Sequence, residues 1–341
     1  MTNLVIGLLS ATLSSNQPAG PTNSGQSAWP SNSFAAPITF IFSGTNADAE
    51  LDQVLSNDDA AHADVDAWIR ENQEFAAKGA AIPPAELNQR ILHRLQPIRD
   101  EYLAFIKQYP SNAPARIAYA SYLDGMGEEE PQAEQLERAR DLDPKNPAAW
   151  NQLANYYGHN GELTNAFAYY TRASELDPTE PVYYWNFATT IYLYRLDAMN
   201  FYHITEPQVF DRSLELYAKA LKLDPTNFSL ATDLAQSYYG IRPMRTNDAL
   251  VAWTNALKIA QSEVEREGVY IHLARVKIYA SYYAQAQAHL NAITNEIYDQ
   301  IKTRLQKNLN HLQDEARSNA LVNLSTNLFD APGSKTIQPP P

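Results

Sequence analysis

Seven histidines and a surplus of carboxylates are the residues of this chain that could perform acid–base chemistry or bind a metal ion. The histidines are scattered along the sequence, at His62, His93, His159, His203, His272, His289 and His311. No pair of them has the HExxH spacing, and none joins a carboxylate cluster at metal-ligand spacing. His203 and Glu206 lie three residues apart, but an isolated pair of this kind is usually a surface coincidence. We therefore predict no catalytic histidine and no metal site.

Motifs for nucleophilic catalysis and for nucleotide binding are also missing from the sequence. The chain has no cysteine, which excludes thiol catalysis, thiolate metal ligands and disulfides. It contains no GxGxxG, no Walker-type glycine loop and no GxSxG elbow. The sequence therefore predicts a protein that is not an enzyme, with no catalytic and no cofactor-binding residues.

The composition is that of a folded, acidic protein. Of 341 residues, 45% are hydrophobic, and 39 Asp and Glu outnumber 26 Lys and Arg, giving a net charge of −13. A negative charge of this size opposes binding to the phosphate backbone of nucleic acids. We therefore predict no nucleic-acid partner.

Two amphipathic helices separated by a turn are predicted within residues 147–178, which read PAAWNQLANYYGHNGELTNAFAYYTRASELDP. Trp150 and Leu153 share one helical face, and Ala166 and Tyr170 share a second one. A single helix pair cannot bury both apolar faces, so it needs neighbours of the same kind.

Such neighbours recur along the chain at a period of 34 residues. The equivalent positions are Pro110, Pro144 and Pro178, and likewise Ala120, Ala154 and Ala188. The tripeptide Leu-Asp-Pro recurs at 142–144, 176–178 and 223–225, each time with an alanine five residues before its proline. This phasing delimits five repeats, at about 113–144, 147–178, 181–225, 228–261 and 267–293.

The pattern within 147–178 resembles a tetratricopeptide repeat. It reads Trp150-x2-Leu153-Ala154-x2-Tyr157, followed by Ala166-x3-Tyr170, Ala173 and Pro178. The resemblance implies an all-α fold: a right-handed superhelical array of antiparallel helix pairs, with about five full repeats plus N- and C-terminal capping helices. It also implies an interaction scaffold, because the family binds peptide segments or partner proteins in the concave groove of the array.

The phasing divides the chain into five segments. They are a disordered leader or signal segment at 1–37, an N-terminal capping region with a degenerate first repeat at 38–112, the array at 113–293, a C-terminal capping helix at 294–318, and a disordered tail at 319–341. Within the capping region we expect a short extended segment at 38–42, a helix at 58–78 and another at 85–109. Pro97 lies inside this last helix and should kink or break it.

The N-terminus leaves the location of the protein open. Residues 4–9 (LVIGLL) and the Ser-, Asn- and Pro-rich stretch after them resemble a secretory signal followed by a flexible leader. No Lys or Arg precedes Arg70, so the basic start of such a signal is missing. Export to the periplasm or cell envelope of a bacterium is favoured slightly over a cytoplasmic location. The apolar run is too short to cross a bilayer, and no stable transmembrane span is predicted.

The third and fourth repeats depart from the regular length. Residues 195–207 are an insertion between the two helices of the third repeat, and we expect a loop there. Its aromatic pair, Phe201 and Tyr202, packs back onto the array or contacts a partner, and packing is favoured. Thr205 and Gln208 resemble a capping box that opens the next helix. In the fourth repeat Ile241-Arg242-Pro243 widens the turn.

The last predicted helix, at 293–317, carries an apolar stripe. Its members are Ile293, Ile297, Ile301, Leu305, Leu309 and Leu312. A terminal helix of this kind can cover the last apolar face of an array, or it can pair with a second copy. Capping is the favoured interpretation, and the oligomeric state stays open.

The resemblance places eleven residues of the first helices on the concave groove. They are Asn151, Asn155, His159, Trp185, Thr189, Tyr192, Thr232, Gln236, Tyr239, Arg275 and Tyr279. Amide side chains can pair with a peptide backbone, and Trp and Tyr are enriched at binding hot spots. For Asn151 and Asn155 we favour exposure in the groove. For Tyr192 and Tyr239, packing against a neighbouring repeat is an equal alternative.

One specialised function of the family is disfavoured by the sequence. Members that grip the C-terminal carboxylate of chaperones use Lys and Arg with Asn at inner positions. The corresponding places here are Ile117, Ser121, Gln152, Val182 and Asn186. We therefore predict no chaperone-type carboxylate clamp, and a protein or peptide ligand that the sequence does not identify. The alternatives are a structural subunit of a cell-envelope assembly that self-associates through its C-terminal helix, and a regulatory partner of an enzyme.

Overall fold

Antiparallel helix pairs make up the part of the chain that the structure describes. The computed structural model describes residues 46–329, and for Ala77 and residues 320–329 only the backbone. No strand occurs within 46–329. The predicted leader and the extended segment at 38–42 lie outside the described residues. The chain divides into two units, one up to Leu216 and one from Tyr217 onwards.

The first unit contains eight helices and the start of a ninth among its described residues. They are α1 (Asn46–Ala77), α2 (Pro84–Gln108), α3 (Ala113–Gly125), α4 (Glu129–Leu142), α5 (Pro147–His159), α6 (Leu163–Leu176), α7 (Pro181–Leu193), α8 (Arg195–Tyr202) and α9 (Glu206–Leu223). The boundary between the units lies within α9.

The second unit continues with the same kind of helix pair. Its elements are α10 (Phe228–Ser237), a 3-10 turn (Tyr238–Gly240), α11 (Thr246–Ile259), α12 (Glu263–Tyr279), α13 (Tyr283–Asn291), a second 3-10 turn (Glu296–Tyr298) and α14 (Asp299–Phe329). The prediction of an all-α array of helix pairs is confirmed. Within 46–329, no helix is long and apolar enough to span a bilayer.

Asparagine caps and prolines set where the first helices begin. The Oδ1 atoms of Asn112, Asn146 and Asn227 accept hydrogen bonds from backbone N–H groups at the starts of α3, α5 and α10, at 2.9, 3.0 and 3.0 Å. Such caps satisfy donors that a helix start leaves unpaired. The predicted cap at Asn146 is therefore confirmed.

The turns inside the second repeat and the repeat before it depend on glycine. Gly127 and Gly161 are 34 residues apart and have φ angles of +69° and +80°. A residue with a Cβ would lose about 1–2 kcal/mol in this left-handed conformation. The turn between the two helices is thus encoded at the same place in both repeats.

Apolar side chains from both helices of each pair form the core. In the second repeat, Leu153, Phe167 and Tyr170 are completely buried. Each such side chain stabilises the fold by about 1.5–3 kcal/mol through its removal from water. The ring of Tyr170 stacks on Phe187 of α7 with 5.4 Å between centroids, which joins the second repeat to the third.

The N-terminal capping region is more extended than predicted. Helix α1 begins at Asn46, twelve residues before the expected start at Asp58. The predicted apolar stripe of α2 is buried against it, as Leu87, Ile91, Leu95, Ile98, Tyr102 and Phe105. Helix α2 continues through Pro97 without a break. Because the stripe packs along the whole of α1, burial holds the two halves of α2 in one helix.

The insertion in the third repeat is a short helix rather than the expected loop. Phe201 and Tyr202 at the end of α8 pack on the buried ring of Phe167, at 5.4 and 5.8 Å between centroids. The guanidinium of Arg212 covers Tyr202 at 4.0 Å from the ring centroid. The aromatic pair of the insertion therefore packs onto its own unit, as the favoured interpretation predicted. The backbone N–H of Thr205 donates to Gln208 Oε1 at 2.9 Å, which is one half of the predicted capping box.

The final helix covers the fifth repeat. Ile293, Leu305 and Leu309 are buried in one cluster with residues of α12 and α13, and Ile301 and Leu312 pack against this cluster. Ile297 is an exception to the predicted stripe, because it is 65% exposed in the 3-10 turn before α14. Helix α14 also continues to Phe329, beyond the predicted end near residue 318.

A buried carboxylate closes the junction between the fifth repeat and α14. Glu267 of α12 is only 2% exposed. Its oxygens accept hydrogen bonds from Thr294 Oγ1 and from the backbone N–H groups of Thr294 and Asn295, at 2.8, 3.1 and 2.8 Å. These bonds, the backbone N–H of Asn295 above all, lower the pKa of Glu267. The carboxylate fixes the chain direction after α13.

Candidate functional site

The two asparagines that we expected in the groove are buried in the first unit. Asn151 is 2% exposed and Asn155 is 9% exposed. The prediction that they face a peptide is therefore wrong. Both lie on the side of α5 that packs against α6 and α7, where apolar side chains exclude water.

An amide network, formed by Asn151, Asn155, Tyr170, Asn186 and Thr190, takes the place of that predicted surface. The Tyr170 hydroxyl donates to Asn155 Oδ1 at 2.6 Å, and Thr190 Oγ1 donates to the Tyr170 hydroxyl at 3.1 Å. Asn186 Nδ2 donates to Asn151 Oδ1 at 3.3 Å. A buried polar group needs such partners, because an unmade hydrogen bond in the interior is costly. The network is thus part of the scaffold that joins α5, α6 and α7.

The other predicted residues of the first unit are closer to the surface. His159 is exposed, and Trp185 and Tyr192 are half-buried, whereas Thr189 is buried. Thr189 Oγ1 donates to the backbone oxygen of Trp185 at 3.0 Å. The ring of Tyr192 packs on Phe210 at 5.8 Å. Of this set, His159 and Trp185 offer the most side-chain surface to a ligand.

The predicted residues of the second unit come from two neighbouring first helices. Thr232 and Gln236 lie on α10, Tyr239 follows in the 3-10 turn, and Arg275 lies on α12; all four are partly exposed. Tyr279 lies one turn after Arg275 and is 56% exposed, although it is a large aromatic residue. The hydroxyl of Thr232 donates to the backbone oxygen of Ser229 at 2.8 Å. The remaining four side chains form a continuous set of amide, phenol and guanidinium groups.

Tyr239 and Arg275 belong to a donor cluster that also contains Trp253 and His272. The His272 ring stacks on Trp253, with 4.0 Å between centroids and 5° between planes. The Tyr239 hydroxyl lies 3.1 Å from His272 Nδ1. The Arg275 guanidinium lies 5.5 Å from the centroid of the Tyr239 ring, within the range of a cation–π contact.

Burial and one positive charge determine the protonation states of this donor cluster. Burial, with a smaller contribution from Arg275, lowers the pKa of His272 to about 3. Burial also raises the pKa of Tyr239, against a smaller opposite effect of Arg275. At neutral pH the imidazole is therefore neutral, the phenol is protonated, and Arg275 carries the positive charge of the cluster.

Sequence reasoning missed Trp253 and His272 as parts of this cluster. Trp253 lies on α11, the second helix of the fourth repeat, which the groove assignment does not include. His272 was one of seven scattered histidines. Its position three residues before Arg275, on the same face of α12, is the signal that could have identified it.

Two further features of the described residues bear on chemistry. A cleft of about 440 Å³ lies between α8 and the start of α6, with Glu162, Asn165, Asp197 and Phe201 in its lining. Its carboxylates lie near the starts of two helices, where negative charge is favoured by the helix dipole. Within 46–329, no group of three or more His, Asp or Glu residues is placed to hold a metal ion.

Comparison with solved structures returns helical-repeat proteins of low sequence identity. One is YrrB, titled a TPR protein with an unusual peptide-binding site, at 13% identity, covering 60% of this chain and 97% of that one, with a TM-score of 0.46. Another is PilW, titled a widely conserved type IV pilus biogenesis factor, at 11% identity, 71% and 98% coverage, and a TM-score of 0.49. PilF of Pseudomonas aeruginosa matches at 16% identity, with 76% and 99% coverage and a TM-score of 0.47.

Comparison by sequence identifies the repeat itself. No curated protein matches the chain. The family model described as tetratricopeptide repeat matches residues 147–180, the helix pair α5 and α6 with the turn after it. The same helix pair recurs in the structure with its caps and glycine turn at the 34-residue period. The chain is a tetratricopeptide-repeat protein, and its general role is that of a protein-interaction scaffold.

Proposed function

We propose that this chain is a non-enzymatic scaffold that binds an extended segment of a partner protein on the first-helix faces of its repeats. The observation that carries the proposal lies in the second unit. There Gln236, Tyr239, Arg275 and Tyr279 come from consecutive first helices, and each keeps part of its side chain exposed.

The chemistry of these four side chains suits an extended peptide. The Gln236 amide can donate to a peptide carbonyl and accept from a peptide N–H at once. The Tyr239 and Tyr279 rings supply flat apolar area, and ordering them costs little conformational entropy. Arg275 adds a charged group that can form two parallel hydrogen bonds with a planar acceptor.

The first unit supports the same function with fewer residues. Asn151 and Asn155 are excluded as peptide ligands, because they are buried. His159 and the exposed part of Trp185 remain on the first-helix faces of the second and third repeats. We infer that this unit contributes a smaller contact area per repeat than the second unit does.

The alternative of self-association through the C-terminal helix has less support. Leu305 and Leu309 of α14 are buried against α12 and α13 of their own unit. The stripe that would form a dimer seam is thus already used to cover the fifth repeat, which favours capping.

Peptide selection tests the proposal. The immobilised full chain is used to select binders from a display library of random peptides, and Kd values are measured by fluorescence anisotropy. We expect the double variant Gln236→Ala, Tyr279→Ala to weaken the selected peptides by about tenfold or more, since truncation of hot-spot residues costs at least about 1.4 kcal/mol.

The matched control removes the same kinds of side chain elsewhere in the second unit. Val251 is 60% exposed on α11, and Gln300 is exposed on α14. The double variant Val251→Ala, Gln300→Ala should change each Kd by less than about twofold, the effect of a surface substitution. Equal losses in both double variants, or no selected peptide at all, would contradict the proposed function.

A further inference from the structure

The donor cluster of the second unit has more hydrogen-bond donors than acceptors. Arg275 is a donor only, and so is the indole N–H of Trp253. The Trp253 residue is 1% exposed, and its Nε1 has no hydrogen-bond partner among the described residues. The two phenols and the one imidazole are the remaining polar side chains here, and none of them carries negative charge at neutral pH.

No carboxylate within residues 46–329 forms an ion pair with Arg275. Most other arginines of the chain have such a partner, as Arg99 has in Glu128 at 2.6 Å and Arg195 has in Glu206 at 2.8 Å. In a chain with a net charge of −13, a partly exposed arginine with only an aromatic contact is unusual. The charge that would complement Arg275 therefore has to come from a ligand.

The surface around Arg275 continues on both sides of the guanidinium. Tyr279 follows it one turn later on α12, and Tyr239 and Gln236 lie across from it on the preceding first helix. A peptide can therefore run past Arg275 with apolar and amide contacts on either side. This arrangement fits a carboxylate in the interior of a segment better than one at its end.

We infer that Arg275, set between Tyr239 and Tyr279, selects an aspartate or glutamate side chain within the bound segment of the partner. The guanidinium offers two parallel N–H donors to the two oxygens of the carboxylate. The tyrosine rings flank the pair and reduce its exposure to water, which strengthens the interaction. The inference rests on the proposed function, because it names the partner chemistry of the same surface.

The experiment compares peptides selected on the wild-type chain with those selected on Arg275→Gln. Glutamine keeps a polar side chain of similar length but removes the charge and the fork. We expect the wild-type pool to be enriched in Asp and Glu at one position, and the Arg275→Gln pool to lose this enrichment. One selected peptide is then synthesised with its acidic residue replaced by the corresponding amide, and as a C-terminal amide.

The acid-to-amide change should weaken binding to the wild-type chain by about tenfold and leave binding to Arg275→Gln unchanged, because charge-assisted bonds are about twice as strong as neutral ones. Arg275→Lys should keep only part of the preference, since lysine lacks the fork. Amidation of the C-terminus should have no effect; a loss of binding on amidation would assign the site to a terminal carboxylate and overturn the inference.

The outcomes separate the two proposals. Peptides that are weakened by Gln236→Ala, Tyr279→Ala but show no acidic preference would overturn the inference and leave the proposed function standing. Failure to select any peptide would overturn both. Circular dichroism of Arg275→Gln must show wild-type helix content and an unchanged thermal midpoint, so that a lost preference reports on the ligand and not on the fold.

Discussion

The amide network of the first unit and the donor cluster of the second unit occupy equivalent places in their repeats, on and beside the first helices. In the amide network each side chain donates to another member or to the backbone, and the atom left over is a buried acceptor, Asn186 Oδ1. In the donor cluster the groups left over are donors, and one of them, Arg275, reaches the surface.

This difference shows how one repeat scaffold can serve two purposes. Where the second helix brings a hydroxyl such as Tyr170 against the first helix, the polar groups satisfy one another and the site becomes structural. Where it brings Trp253, whose stacking partner is His272, polar groups of the first helix stay available. The residue on the second helix thus decides the role of the residue on the first one.

The largest expected effect comes from removing Trp253. Trp253→Ala deletes a buried ring and the stacking surface of His272, so we expect the second unit to lose about 3–5 kcal/mol of unfolding free energy. Urea denaturation measures this loss. If the cluster were a loose surface feature, the cost would instead fall within about 0.5 kcal/mol.

The next effect tests whether the amide network is structural. Asn155→Ala leaves the buried hydroxyl of Tyr170 without its acceptor, and we expect a cost of about 1–3 kcal/mol with no change in peptide affinity. The double variant Asn155→Ala, Tyr170→Phe should cost less than the sum of the single ones, because both partners are then removed. Additive costs together with weaker peptide binding would restore Asn155 to the groove.

The pH dependence of the second unit follows from His272, whose pKa is lowered to about 3. The unfolded chain takes up a proton near pH 6.5, whereas the folded one does not. Stability contributed by the neutral ring is therefore complete above about pH 6.5 and is lost as the pH falls towards 3. The loss can reach at most about 1.4 kcal/mol per pH unit for one proton. Urea midpoints measured from about pH 7 to pH 4 check this, and His272→Gln should flatten the curve.

His62 of the first unit sharpens the comparison, because its pKa shifts the other way. Asp58, which accepts a hydrogen bond from the ring and attracts its charge, raises the pKa of His62. This contribution is present below about pH 6.5 and is lost as the pH rises through the raised value. His62→Gln should therefore destabilise the first unit more at low pH than at high pH, and an identical cost throughout would contradict this.

The smallest expected effect is that of Arg275→Gln on stability. The cation–π contact with Tyr239 is partly exposed, so its loss should cost no more than about 1 kcal/mol. Thermal unfolding measures this cost. A much larger value would place Arg275 among the structural residues, together with Asn155.

The helix pairs could be predicted because their signals are local. Asn146 before Pro147, a glycine in the turn and an apolar stripe act within one or two turns of helix. The start of α1 at Asn46 was missed since residues 46–57 carry few apolar side chains beyond Leu51, Val54 and Leu55. Only the packing of these three against α2 and α3 makes that part a helix.

The candidate site was predicted less well because burial depends on the neighbouring repeat. Asn155 reads as a surface residue until Tyr170 is placed against it, fifteen residues away. Arg275 and Tyr279 were placed correctly on an accessible face, because they lie one turn apart at the end of a first helix. His272 and Trp253 required a contact between two helices that the periodicity alone does not supply.

The Glu267 carboxylate gives the array a defined length. In the earlier repeats a Leu-Asp-Pro segment leads to the next helix pair, but after α13 Thr294 and Asn295 donate to Glu267 instead. A protein engineer who wishes to lengthen this scaffold should therefore insert a copy of the 147–180 module ahead of Glu263. A copy placed after Asn291 would leave a buried carboxylate without its donors, so the chain carries its own stop to repeat duplication.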